Sequence, residues 1–271
     1  MRVARRAAVL GQPVAHSLSP ALHRAAYDEL GLTQWRYDAI ECGEARLPAL
    51  LAGLDDSWAG LSLTMPLKRA ALRLASSSDA LARAVGASNT LIPRDGGWHA
   101  ENTDVAGVRM ALAEAGVTRV RRGVVLGAGG TAQAALAALA SLGERTPRVL
   151  VREPSRTADL RAAAERLGVQ PVVLRWPAVV EADWDVLVST VPAGAADRLA
   201  AGPWPSDGVL LDVVYSPWPT AFARAAGAGG CAVVGGGEVL LHQAAAQVVR
   251  MTGQAAPLEA MRAALLICLR P

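Results

Sequence analysis

The chain has 271 residues, 52% of them hydrophobic, 19% charged and 4% aromatic, with a formal net charge of +3. That length suits one large or two medium domains with a sizeable core, and a high apolar fraction with interspersed charge excludes disorder. The longest apolar stretches, such as 134–140 and 263–269, fall far short of the roughly 20 residues a bilayer span needs. The apolar run behind the basic start Met1–Arg6 stops at Gly11-Gln12-Pro13, so no signal peptide is expected. Three scattered cysteines, Cys42, Cys231 and Cys268, form no disulfide framework and no Cys-x-x-Cys site, which predicts a reduced cytoplasm. The arginines are dispersed, and the densest group, 119–122, reads as a solvated turn rather than a nucleic-acid surface.

In chain order, residues 7–10 form a short apolar strand, followed by a helix from about Pro20 to Leu30. Ser19 is placed to cap that helix, Pro20 to open it and Gly31 to follow its end. Residues 35–40 alternate as a strand, 44–54 read as a helix and 59–63 as a strand. Helices are predicted over 67–75 and 79–85. Strands 89–93 and 98–101 flank Asp95-Gly96-Gly97 as a hairpin, and a helix over 103–115 ends at Gly116. From Gly123 the pattern becomes strand–helix–strand. Val- and Leu-rich strands at 124–126, 149–151, 172–174, 186–189 and 209–213 suit a parallel sheet covered on both faces. The tail is helical over 238–251 and from Pro257 to about Leu269. Two α/β units result, with the final helices free to return to the first.

Individual residue counts add a second signal. Lys68 is the single lysine among 27 basic residues, and Asn89 and Asn102 are the only asparagines. Both residue types use A/T-rich codons, which implies a G/C-rich gene in which lysine drifts to arginine wherever charge alone matters. Two readings of Lys68 stand: chance survival, or a task such as proton transfer that a guanidinium cannot perform. It closes Ser62-Leu63-Thr64-Met65-Pro66-Leu67-Lys68 at a strand end, and the asparagines fall in 86–90 and 101–104, so a polar site gathers the rare residues. Near the N-terminus, Ser17 and Ser19 stand just before a helix. They can donate to a carboxylate at its positive end, or Ser19 can serve only as a cap.

The cluster Gly127-Ala128-Gly129-Gly130-Thr131, between a strand and an Ala-rich helix, has the form of a dinucleotide fingerprint with Ala132 at its third position. After the next strand, Val151-Arg152-Glu153-Pro154-Ser155-Arg156 carries two arginines suited to bracketing the 2′-phosphate of NADP. Glu153 between them opposes this, since a carboxylate repels phosphate or accepts from a ribose.

Taken together, 11–20, 64–68, 88–90, 102–104, 127–130, Tyr215 and His242-Gln243-Ala244 follow the order and spacing of the shikimate dehydrogenases, and this resemblance covers nearly the whole chain. It implies a discontinuous α/β substrate domain, 1–104 with 238–271, and a Rossmann-type doubly wound NADP domain over 105–237. It also implies reversible reduction of 3-dehydroshikimate to shikimate with NADPH. Carried onto this chain, Ser17 and Ser19 bind the substrate carboxylate. Thr64, Asn89, Asp104, Tyr215 and Gln243 hold the ring hydroxyls, and Lys68 with Asp104 forms the catalytic pair. Gly127, Ala128, Gly129, Gly130 and Thr131, with Val151, Arg152, Arg156, Val213 and Gly236, line the cofactor. The chain departs from the pattern at Ser62, where many members have Asn, at 151–153, where many have Asn-Arg-Thr after the strand, and at Gly236-Gly237-Glu238, where Gly-Leu-Gly is common. No metal is expected, nor any nucleic-acid or membrane partner; the substrate is a small molecule and the chain a monomer or homodimer. A quinate- or aminoshikimate-type dehydrogenase on the same scaffold, and a non-catalytic nucleotide-sensing protein, are the alternatives. Ser19, where a bulkier Thr suits quinate, favours shikimate.

Overall fold

The computed structural model describes Arg5–Trp176 and Val180–Arg270, so Met1–Ala4 of the basic start lie outside the described residues. The first half of the chain forms β1 (Arg5–Gly11), α1 (Ser19–Glu29), β2 (Trp35–Glu41), α2 (Leu47–Ala52), β3 (Trp58–Leu63), α3 (Lys68–Leu74), β4 (Ser77–Ser78), α4 (Ala80–Val85), β5 (Thr90–Arg94), β6 (Gly97–Glu101) and α5 (Asp104–Glu114). Then come β7 (Gly123–Leu126), α6 (Gly130–Ser141), β8 (Arg148–Val151), α7 (Ala158–Leu167), β9 (Val172–Arg175), β10 (Val186–Ser189), β11 (Val209–Asp212), α8 (Ala221–Ala228), β12 (Ala232–Gly235), α9 (Gly236–Thr252) and α10 (Leu258–Cys268). These divide into two compact units, one made of the described residues up to Thr103 with those from Leu241 onward, the other Asp104–Leu240.

The sheet of the first unit runs β2-β1-β3-β5-β6-β4. β1 pairs in parallel with both β2 and β3, while β5 runs antiparallel to β3 and to β6. Every residue of β3 is buried, as a central strand requires, whereas the edge strand β2 alternates in exposure. The β5–β6 hairpin turns through Asp95 and Gly96, both with positive φ, the backbone that tight two-residue hairpins demand. Leu10, Leu22, Tyr37, Leu47, Leu61 and Leu91 are among its fully buried side chains, and α10 packs on α1.

The second unit holds six parallel strands in the order β12-β11-β10-β7-β8-β9. Read from β9, this is the 3-2-1-4-5-6 order of a doubly wound sheet, whose strand order reverses between β7 and β10. α6 is buried along its whole middle, Ala132–Ala140, because small side chains let it lie close to the sheet. Trp184 and Phe222 fill the other side of that core.

Several expectations are corrected. The residue capping α1 is Leu18, and Ser19 is the first helical residue, with no side-chain cap on that helix. The helix expected over 44–54 forms only over Leu47–Ala52. β4 and β12 were not expected; both are short, and β12 is hemmed in by glycines. The backbone at Arg121 and Arg122 is held by the Asp185 carboxylate, which also binds the Arg122 guanidinium at 2.7 and 2.9 Å. Among the described residues, no helix is long and apolar enough to cross a membrane.

Candidate active site

In the first unit, the carboxyl ends of β1 and β3 and the start of α1 bring together the residues singled out for substrate. Thr64 follows β3 and donates its N–H to the Leu10 carbonyl at 2.9 Å. A Cβ on Gly11 would run into the Thr64 methyl, so glycine lets β1 end directly against this segment. The Thr64 carbonyl accepts from Leu67 at 2.8 Å, a turn that delivers Lys68, half-buried, as the first residue of α3. Ser17 Oγ accepts from the Ser19 N–H at 3.3 Å. Ser19 is buried, and its side chain makes no capping hydrogen bond to α1.

Asn89 is the best-determined member. Its Oδ1 accepts from the Thr103 N–H at 2.7 Å and from Thr90 Oγ1 at 3.0 Å. Its Nδ2 donates to Thr103 Oγ1 at 2.8 Å and to Gln243 Oε1 at 3.3 Å. Because Thr103 N–H can only donate, the amide orientation is unambiguous. Asn89 and Gln243 therefore stand together, with Ser88 behind them sharing its one hydroxyl proton between the carbonyls of Thr90 and Glu101. Asn102 donates to the Ala87 carbonyl at 2.9 Å, which makes it a scaffold for the 86–90 segment.

In the second unit, Asp104 is buried as the first residue of α5, one residue along the chain from Thr103. Tyr215 is half-buried beyond β11, and that burial raises its phenol pKa.

The residues singled out for a dinucleotide gather at the strand-order reversal. Gly127 follows β7 with φ +106°, and a Cβ there would stand 2.6 Å from Thr190 Oγ1 at the end of β10. Gly129 caps α6 without any side-chain hydrogen bond, and a Cβ on Gly129 or Gly130 would meet only open space. Ala128 and Thr131 complete the loop. A helix N-terminus with uncapped N–H groups and no side chains in the way is a cradle that fits a pyrophosphate. Val151 ends β8, and Arg152 and Arg156 follow it, both exposed. Glu153 is occupied locally: its Oε1 accepts from Ser155 Oγ at 3.0 Å and caps the short turn Pro154–Arg156. Val213 and Gly236 also meet, since a Cβ on Gly236 would collide with the Val213 carbonyl, so backbone approaches backbone there.

Sequence reasoning missed four residues around these sites. Thr190 donates to the Leu126 carbonyl at 2.7 Å and abuts Gly127; its signal is its place directly after a strand at the reversal. Tyr37, His23 and Gln247 lie behind the substrate cluster with no motif to mark them. The reading that no residues have metal-ligand spacing is qualified by Glu238 and His242, one turn apart on α9.

Comparison with known proteins bears on this arrangement. The shikimate dehydrogenase substrate binding domain matches residues 9–91, and the shikimate 5′-dehydrogenase C-terminal domain matches 236–266. The shikimate dehydrogenase (NADP(+)) of Halobacterium salinarum is 39% identical over 267 residues, covering 95% of this chain and 97% of that protein. The crystal structure of Mycobacterium tuberculosis shikimate dehydrogenase superposes with a TM-score of 0.87 at 46% identity, over 97% of this chain and 99% of that one. The Thermus thermophilus enzyme, solved in complex with NADP(H) and shikimate, superposes with a TM-score of 0.85 at 34% identity, over 97% and 99%. With near-complete coverage at these identities, the chain belongs to the shikimate dehydrogenase family.

Proposed function

We propose that this protein reversibly reduces 3-dehydroshikimate to shikimate with NADPH. The observation that carries this reading is the pairing of two built features in one chain. One is a polar cluster of Asn89, Gln243, Thr64 and Ser19 beside Lys68; the other is an open glycine cradle at the reversal of a 3-2-1-4-5-6 sheet. The segment 1–104 with 238–271 is assigned to the substrate and 105–237 to the cofactor. NADPH, when bound, supplies the hydride to the ketone carbon. Lys68 gives the proton that the developing alkoxide requires and takes it back in the reverse direction. The Asp104 carboxylate orients the ammonium and accepts from a ring hydroxyl. Ser17 and Ser19 donate to the substrate carboxylate, and Thr64, Asn89, Tyr215 and Gln243 hold the ring hydroxyls. Arg152 and Arg156 neutralise the 2′-phosphate.

The protein is further assigned to the cytoplasm, as a monomer or homodimer that acts on a small molecule without nucleic-acid, membrane or metal partners. Incubation of shikimate and NADP with the purified protein, in the presence of a chelator, is expected to yield NADPH. Quinate in its place is expected to react far more slowly. Turnover that stops with the chelator and returns with zinc would overturn the metal-free reading and direct attention to Glu238 and His242. Faster turnover of quinate would replace shikimate as the substrate.

A further inference from the structure

Behind Asn89 runs a buried chain of hydrogen bonds whose direction is fixed by one backbone group. Gln247, on α9, donates both hydrogens of its amide, one to the Asn89 carbonyl at 3.0 Å and one to Thr90 Oγ1 at 2.9 Å. A backbone carbonyl can only accept, so the amide cannot be reversed, and Oε1 must face the other way. There it accepts from Ser62 Oγ at 2.8 Å. Ser62, having given its proton to Gln247, accepts from Tyr37 Oη at 2.6 Å. Tyr37 has one proton, and Ser62 receives it. On the other branch, Thr90 receives from Gln247 and passes its own proton to Asn89 Oδ1, which leaves Asn89 Nδ2 turned toward Gln243. His23 completes the shell. Its ring stacks on Tyr37 at 3.9 Å between centroids, and Nε2 stands 3.4 Å from Gln247 Oε1, so Nε2 carries the hydrogen. Tyr37, His23 and Thr90 are fully buried, and Ser62 and Gln247 nearly so.

We infer that Gln247, itself oriented by Ser62 and Tyr37, is a positioning residue of the substrate site, acting on Asn89 through its backbone carbonyl and through Thr90. The inference rests on the assignment of Asn89 to the substrate. It gives a role to Ser62, one of the departures from the family pattern: a hydroxyl here relays between Tyr37 and Gln247 and has no proton left for a ligand. Cutting the chain takes one hydrogen bond from the Asn89 carbonyl and lets the Thr90 hydroxyl turn away from Asn89 Oδ1, so Thr103 alone then holds the Asn89 amide from behind and a substrate must pay for ordering it.

Three variants test this: Gln247→Met, similar in length and without polar ends; Tyr37→Phe, which removes one oxygen and keeps the stack on His23; and the double variant. Turnover of shikimate by the unaltered protein tests the functional reading by itself, before any variant is compared. Each single variant is expected to raise the KM for shikimate about five- to fiftyfold, the effect of an unmade buried hydrogen bond. The kcat should stay within about threefold and the KM for NADP within about twofold, because the loss is one of binding at one ligand. The double variant should add little to the larger single effect, since both cut one chain. Should Gln247→Met fail to fold, Tyr37→Phe decides alone. A KM for shikimate within about twofold of the unaltered protein in Tyr37→Phe would overturn the inference, as would a parallel rise in the KM for NADP or two effects that multiply.

Discussion

Replacing Lys68 by Arg separates charge from proton transfer at the one position where this arginine-rich chain retains a lysine. The turn from Thr64 sets Lys68 at the head of α3, and its carbonyl is held by the Ser88 N–H at 2.8 Å, so the backbone under it is well anchored. Lys68→Arg is therefore expected to fold and to bind shikimate within about threefold, while kcat falls by about 10²–10⁴, the usual worth of a general acid–base group. Steady-state rates with saturating NADP measure both quantities. A rate within a few-fold of the unaltered protein would return Lys68 to chance survival in a G/C-rich gene. At the same scale, Ser19 shows how a local rule misleads. Serine before proline at the start of an apolar helix fits an N-cap, yet Ser19 is already the first helical residue and Leu18 holds the cap position, a one-residue shift that spacing along the chain does not reveal.

Among the elements, legibility followed how local the cause was. β7, β8, β10 and β11 are continuous Val and Leu runs, and such runs advertise a parallel sheet on their own. β12 is four residues beside glycines, and it is a strand because β11 offers a free edge in register, Val209 opposite Ala232 through Asp212 opposite Gly235. The glycine loop and its helix were legible because their chemistry is written in consecutive residues. Gln247 was not, because it is one polar residue on a helix and its meaning depends on β3, β5 and the segment between. The turn after β8 carries the cofactor prediction. The 2′-phosphate is all that distinguishes NADP from NAD, and Arg152 and Arg156 are the residues proposed to bind it, while Glu153 is engaged by Ser155. Two charge-assisted contacts favour NADP by roughly a hundredfold if fully formed, and solvent exposure of both arginines reduces that. Replacing both by Ala is expected to weaken NADP far more than NAD, and Glu153→Gln to tighten NADP slightly. Titration of each cofactor against each variant checks this; equal use of NAD and NADP by the unaltered protein would mean that Glu153 holds a ribose.

Over the whole molecule, the polar chain behind the substrate cluster also links stability to pH. His23 is fully enclosed, and burial lowers its pKa to about 3 against a weaker upward pull from its hydrogen bond to Gln247. In the unfolded chain the same imidazole titrates near 6.5. Between these values the unfolded state binds a proton that the folded state refuses, so folding stability falls as pH drops below about 6.5. The limit is a tenfold loss in the folding equilibrium for each pH unit, reached well inside that window. Asp212, in the other unit, has the opposite sign. Burial raises its pKa against the hydrogen bond from Thr220, so acidification through that raised value favours the folded form. A single melting curve mixes the two, and a variant separates them. His23→Phe keeps a ring against Tyr37 and removes the titration. Urea unfolding of both proteins at intervals from about pH 7 to pH 5 is expected to show the unaltered protein losing stability more steeply than the variant, whatever their difference at pH 7. Parallel slopes would mean that His23 is protonated in the folded protein, and the Nε2-to-Gln247 assignment would have to be redrawn with both ring nitrogens as donors.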